Sequence, residues 1–325
     1  NRLGDLRLGA RNRRGIDMKK FVSGLLTALL ALALVPMTVT PAAAQGEGTV
    51  TRIATNDYGT EGPGVGGGVL DGAGNYYFTS SASNIEGKIW KVDLATNTKT
   101  LLYTLNANGT EGDYIQSRLV YDPVNNDLWT TTKLGGYSYT AYNAGHTSWS
   151  TAHLGTILKY DLDTNTFTAF NPFNDTTGGS NYDIAFDPIS RKLIGMGQIA
   201  PGDLTTYLNG QMWSFQVDTN TFDHWNLPAG IAGGSFPKLE YSSSTGLVYV
   251  ALPMGTGSYV NGQIYSYNPA TAEFTVLHNY GASATLRWPH QIVIDDTATP
   301  PVMYISTTSG ATGSAQGGIS MMNLD

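Results

Sequence analysis

Gly87-Lys-Ile-Trp-Lys-Val-Asp93 is written four more times along the chain: Gly155-Thr-Ile-Leu-Lys-Tyr-Asp161, Gly210-Gln-Met-Trp-Ser-Phe-Gln216, Gly262-Gln-Ile-Tyr-Ser-Tyr-Asn268 and Gly317-Gly-Ile-Ser-Met-Met-Asn323. The copies recur every 52 to 68 residues. A repeat at that period is the mark of a repeated supersecondary unit, and it constrains architecture more firmly than local propensity. Upstream of each copy stand two strand-like segments. The first ends on a turn residue, as in Arg118-Leu-Val-Tyr-Asp122 and Asp183-Ile-Ala-Phe-Asp187, and the second follows within a few residues, as in Leu128-Trp-Thr-Thr131. Turn formers such as Asp122-Pro-Val-Asn-Asn126 separate the two, which is a hairpin signature. Downstream, Thr96-Asn-Thr98, Thr164-Asn-Thr166 and Thr219-Asn-Thr221 lead into a fourth strand, for example Phe167-Thr-Ala-Phe170.

Four short antiparallel strands, repeated five times with no segment of helical period, predict an all-β, five-bladed β-propeller of four-stranded blades, with six or seven blades as the alternative. The last unit stops after its third strand. Thr49-Val-Thr-Arg-Ile-Ala-Thr55 aligns with the fourth-strand segment Thr98–Thr104, so the N-terminal strand is expected to close the last blade. The unit with its G-x-I-x-x-x-D strand and T-N-T hairpin resembles bacterial secreted β-propeller repeats, among them the YVTN, NHL and SMP-30-like groups. That resemblance covers most of residues 48–325. It implies fold rather than chemistry, because those groups include lyases, lactonases and plain interaction modules, and it carries over no catalytic set.

The N-terminus reads as an address. Met18-Lys19-Lys20 precedes an apolar run, Phe21 to Val35, too short to span a bilayer comfortably, and Ala42-Ala43-Ala44 offers a cleavage site before Gln45. The expected organisation is translated upstream sequence at 1–17, a signal peptide at 18–44 and one propeller domain at 45–325, secreted or periplasmic. Residues 1–44 hold 7 of the 18 basic residues and 2 of the 25 acidic ones, so the exported part is more acidic than the overall formal charge of −7. An acidic chain without a basic stripe argues against nucleic acid and anionic membranes as partners. There are no cysteines, which excludes disulfides, thiol catalysis and Cys-based metal sites. The expectation is a monomer with no cofactor and no membrane insertion, meeting a small molecule, a glycan or a protein.

Blade connectivity puts the second-to-third-strand loops and the blade-to-blade loops on one end of the ring. The longest, Lys133–Leu154, carries Tyr137, Tyr139, Tyr142, His146, Trp149 and His153, a set suited either to stacking on sugars and apolar rings or to forming a mini-core of its own. Glu111, Asp113, Arg287, Trp288 and His290 join that end from the blade-to-blade loops. Four residues before each turn stand Gly67, Arg118, Asp183, Lys238 and Gln291, equivalent positions that should meet near the channel mouth as a ligand grip or as a structural ion-pair ring. His146, His153 and His290 form a weak candidate metal set of unfamiliar spacing.

Two function classes lead, with a third behind them. One is a non-catalytic binder using Tyr137, Tyr139, Trp149, Trp288, Glu111, Asp113, Arg118, Lys238 and Gln291. The other is a lyase, lactonase or glycosidase using the polar ring with His290 and Arg287, in which His290 or Asp183 moves a proton and Arg118 or Lys238 binds a substrate carboxylate. A structural cell-surface role is the third reading. Gly64-Val-Gly-Gly-Gly68 lacks a βαβ frame, and Asp161-Leu-Asp163-Thr-Asn165 lacks the glycine and glutamate of a calcium loop, so neither is read as a site.

Overall fold

The computed structural model describes residues 54–324 apart from 58–59, 83–84, 107–109, 137, 143–148, 175, 200–209, 232–233, 256–260, 282–285 and 311–316. The chain is a five-bladed β-propeller, and no helix occurs among the described residues. Blade 1 is β1 (Gly64–Leu70), β2 (Asn75–Ala82), β3 (Ile85–Asp93) and β4 (Thr98–Thr104). Blade 2 has a divided inner strand, β5 (Asp113–Ile115) and β6 (Val120–Asp122), followed by β7 (Asp127–Leu134), the inserted hairpin β8 (Ser138–Tyr142) and β9 (Trp149–His153), then β10 (Ile157–Asp161) and β11 (Thr166–Phe170). Blade 3 is β12 (Gly179–Asp187), β13 (Lys192–Ile199), β14 (Gln211–Gln216) and β15 (Thr221–Asn226). Blade 4 contains the small pair β16 (Gly234–Ser235) and β19 (Met254–Gly255), with its main sheet formed by β17 (Lys238–Ser242), β18 (Leu247–Leu252), β20 (Gln263–Asn268) and β21 (Glu273–Asn279). Blade 5 shows three strands, β22 (Leu286–Asp295), β23 (Val302–Gly310) and β24 (Gly318–Asn323).

The repeated heptapeptide is the third strand of every blade, as its sequence predicts. Its leading glycine has a physical reason. Gly155 and Gly262 hold φ of +85° and +103°, and a Cβ at Gly155 would sit 2.1 Å from the Thr132 carbonyl oxygen. Any other residue there would be both strained and overlapped. The T-N-T hairpins are equally legible: Asn97, Asn165 and Asn220 adopt φ near +55°, and Asp161 Oδ1 accepts from the amides of Asp163 and Thr164 at 2.9 Å each. The apparent calcium-loop fragment is therefore turn chemistry.

Second and third strands lie between blades, so both of their faces are covered: along β14, Gln211 to Phe215 are all buried. Outer strands such as β15 alternate between exposed and half-buried residues. Blade stacks on blade through successive apolar clusters. Tyr77, Ile89, Leu119 and Leu128 join blades 1 and 2. Trp129, Ile157, Ile184 and Trp213 join blades 2 and 3. Ile194, Met196, Val248 and Tyr265 join 3 and 4, and Ile264, Tyr280, Ile292 and Ile305 join 4 and 5.

No such cluster joins blade 5 to blade 1 among the described residues. The far face of blade 5 leaves Val293, Tyr304, Met321 and Ile319 exposed, the last two at 70% and 78%. The corresponding face of blade 1, carrying Tyr76, Phe78 and Val92, borders a cavity with Ala54 and Asn56. Lys99 on β4 ties that face down, donating to the Thr55 carbonyl at 2.6 Å and to Glu61 Oε2 at 2.7 Å. Of the expected closing strand Thr49–Thr55, Ala54 and Thr55 form no strand, and the remainder lies outside the described residues, as does the expected signal peptide.

Candidate functional site

Two regions gather polar and aromatic side chains, one at each end of the channel. At the loop end, the entry into each inner strand from blade 2 onward holds a left-handed backbone on a residue that is not glycine: Tyr114 (φ +60°), Ser180 (+60°), Phe236 (+62°) and Trp288 (+55°). For bulky residues this conformation is a genuine outlier, costing of order 1–3 kcal/mol, and such outliers cluster at binding and catalytic sites. Phe236 and Trp288 line one cavity of about 210 Å³ between blades 4 and 5, shared with Pro253, His290 and Thr308. Behind Phe236, the buried Tyr182 ring meets it edge-on at 5.1 Å between centroids. Tyr182 is itself fixed by a hydrogen bond to Gln198 Oε1 at 2.9 Å and by Lys133 Nζ 4.6 Å over its ring. Arg287 lies over the Trp288 ring at 5.5 Å. The result is an aromatic arc crossing blades 3 to 5, with cations at both ends.

Part of the expected loop set is found here: Trp288 and His290 line the same cavity, and Arg287 adjoins them. Others lie elsewhere. Glu111 accepts from the Tyr103 hydroxyl at 3.0 Å and from the Asn106 amide at 2.7 Å, fastening a blade 1 strand to the loop that follows it. The long insertion folds as the β8–β9 hairpin, with Tyr142 opposite Trp149 and Tyr139 opposite Ala152 in the ladder, and His153 at its end. Tyr137 and His146 lie outside the described residues; Asp113 stands on β5. Among the described residues no group of three metal-ligating side chains converges.

The inner-strand ring is real but has a different membership. Arg118 and Asp183 come together as their equivalent positions predict, with Nη2 3.0 Å from Oδ2 and Nε donating to both carboxylate oxygens at 3.2 and 3.3 Å. Asp183, completely buried, also accepts from the Arg118 amide at 3.1 Å and the Leu239 amide at 3.0 Å. The third partner is Glu240, whose Oε2 takes a very short hydrogen bond from Arg118 Nη1. Lys238 and Gln291 stand half-buried on β17 and β22.

Burial pushes the Glu240 carboxyl above its ordinary range; Arg118 pulls it back, while Asp183 and Asp296 push the same way as burial. The two carboxylates hold the Arg118 guanidinium firmly protonated against the burial that opposes its charge. Glu240 carries a sequence signal of its own. Two residues before the turn the blades carry Val69, Val120, Ala185, Glu240 and Val293, so one blade alone places a charge at an apolar position.

No family model matches the chain, and no curated protein matches it in sequence. Solved structures do resemble it. It is similar to TolB from Acinetobacter baumannii, at 13% identity and a TM-score of 0.42 over 76% of this chain and 52% of that one. It is similar to Kuenenia stuttgartiensis hydrazine synthase, at 11% identity and 0.49 over 74% and 63%. The β-propeller domain of the Trilobed protease from Pyrococcus furiosus gives 11% identity and 0.42 over 77% and 65%. The chain thus spans between about half and two-thirds of the length of these structures. The propeller assignment rests on the blade ladders themselves, not on these likenesses.

Proposed function

We propose that the chain is an exported, monomeric binding propeller whose loop end takes a glycan or similar small polar ligand, one ring of which stacks in the cavity between Phe236 and Trp288. The carrying observation is that both aromatics lining that cavity sit on left-handed backbone. A strained aromatic costs stability and persists where the strain positions a side chain for a ligand. About 210 Å³ is small for a drug-sized site but suits a single saccharide ring entering from solvent. His290 and Thr308 on its rim offer hydrogen bonds to hydroxyls. The export reading rests on Met18 to Ala44, and the resemblance to secreted YVTN, NHL and SMP-30-like repeats accords with it.

A glycan array followed by titration calorimetry tests this. Trp288→Ala and Phe236→Ala should each weaken any glycan found by at least about tenfold, the scale of losing one ring–ring stack with its buried area. Unchanged affinity in both variants sinks the proposal. A second reading, lyase, lactonase or glycosidase, draws on His290 lining the same cavity with Arg287 beside it. It requires product release from a bound glycan that His290→Gln abolishes while binding persists.

A further inference from the structure

A second cavity, of about 450 Å³, opens at the opposite, hairpin end of the channel. Its walls are Leu70, Tyr121, Phe186 and Tyr241, each standing immediately before the turn residue of its blade, and deeper in it are Arg118 and Glu240. The ion cluster that reaches this cavity through Arg118 and Glu240 is not neutral. Arg118 supplies one positive charge, and Asp183 and Glu240 each supply a negative one, leaving one negative charge uncompensated. The neighbouring carboxylates do not relieve it: Asp122 is paired with Arg191, and Asp296, whose donors are the neutral Ser242 hydroxyl at 2.6 Å and Ser243 amide at 2.7 Å, adds to the negative field at Glu240.

Asp183 is enclosed and fully engaged by Arg118 and two amides, so the uncompensated charge is available at Glu240. That side chain keeps 32% of its surface accessible, and only its Oε2 is bound to Arg118. A buried ion cluster adds little net stability over an apolar core, and equivalent positions in the other blades are Val and Ala, so stability alone does not account for Glu240. An anion would meet net repulsion here. An inorganic divalent cation would need several oxygen ligands, which walls of Leu, Phe and Tyr do not supply. A carboxylate at the base of an aromatic cavity suits a positive charge carried on an apolar body, by charge pairing and by cation–π contact with the rings.

We propose that the hairpin-end cavity binds a small organic ammonium ion, with Glu240 as counter-ion and Tyr121, Phe186 and Tyr241 enclosing its apolar body. The site is independent of the loop-end reading and is distinguished from it by Trp288→Ala, which should leave it intact. Benzylamine, protonated at pH 7, and neutral benzyl alcohol of the same shape are titrated calorimetrically into the whole protein. Saturable binding of benzylamine at least tenfold tighter than of benzyl alcohol is expected, lost at least tenfold in Glu240→Gln. Leu70→Trp, which fills the mouth from a half-exposed position without touching the ion cluster, should abolish binding in a protein of unchanged circular dichroism. The proposal is overturned if benzylamine fails to saturate, if benzyl alcohol matches it, or if Leu70→Trp leaves binding unchanged.

Discussion

The carboxylate of Asp183 on blade 3 grips Arg118 on blade 2 at 3.0 Å and, through its second role as acceptor for the Leu239 amide, reaches blade 4 as well. One completely buried side chain therefore ties three blades at the axis, where the inner strands have no further strand to pair with.

Asp183→Ala should consequently cost roughly 3–5 kcal/mol, the scale for stranding the partner of a buried ion pair, here Arg118 together with two amides. Urea unfolding followed by tryptophan fluorescence measures it. Asp183→Asn keeps an acceptor oxygen and should cost distinctly less. Equal costs for the two would show that charge pairing, not the amide bonds, dominates.

The T-N-T hairpins invite a backbone test. Asn165 sits at φ +54° in the exposed turn between β10 and β11. Asn165→Gly should change stability by a few tenths of a kcal/mol at most, since glycine reaches that conformation freely. Asn165→Val should cost about 1–2 kcal/mol, the penalty for a branched side chain held left-handed. Thermal melts of the two variants decide it, and a tolerated valine would contradict the turn geometry.

The blades were legible because their signals are local. The heptapeptide, the Asx and T-N-T turns and the alternation of outer strands each depend on residues close in sequence, and the third strands fall where Gly87 to Asp93 and its copies stand. The axial pair Arg118–Asp183 was legible as well, because aligned repeats share a position around the ring. Glu240 is not legible from the position four before the turn, because it stands two before it, where the other blades carry Val or Ala. The left-handed Phe236 and Trp288 leave no trace in sequence: neither is a residue that prefers φ above zero, so tertiary packing alone imposes it. Sequence alone places Lys133–Leu154 as a loop, whereas Ser138–Tyr142 and Trp149–His153 pair in register as the β8–β9 hairpin.

Closure of the ring makes a third prediction. Among the described residues β24 pairs with β23 alone, and blade 5 exposes Val293, Tyr304, Ile319 and Met321 on one face. The sequence expectation is that Thr49–Thr55 supplies its fourth strand. Truncation before Asn56 should then accelerate hydrogen exchange at the β24 amides that point away from β23, and should increase light scattering by freeing a hydrophobic edge. Ile319→Ser should cost about 1–3 kcal/mol if that face is covered, against less than about 0.5 kcal/mol for an open surface position. A cost at the open-surface level together with unchanged exchange would refute closure by this segment.

The last prediction concerns pH and isolates Glu240. Its carboxyl is raised above the ordinary 4.5 by burial first, with Asp183 and Asp296 adding to the effect and Arg118 opposing it. A carboxyl that binds its proton more tightly when folded than when unfolded favours the folded state at low pH. That advantage is full below the unfolded value and is lost as pH rises through the folded value, because the unfolded chain ionises first. Unfolding free energy should therefore be compared between the native protein and Glu240→Gln at intervals from pH 4.5 to 8. The difference should move against the native protein as pH rises above 4.5 and level off once Glu240 is ionised in the folded state. Arg118 keeps its charge throughout, and any background drift from other groups cancels in the comparison. A difference that moves the other way would mean that Arg118 outweighs burial and that Glu240 is held ionised. Under the ammonium proposal, benzylamine should displace the levelling-off towards lower pH, since a bound cation favours the charged carboxylate. The loop-end ligand should leave it where it is.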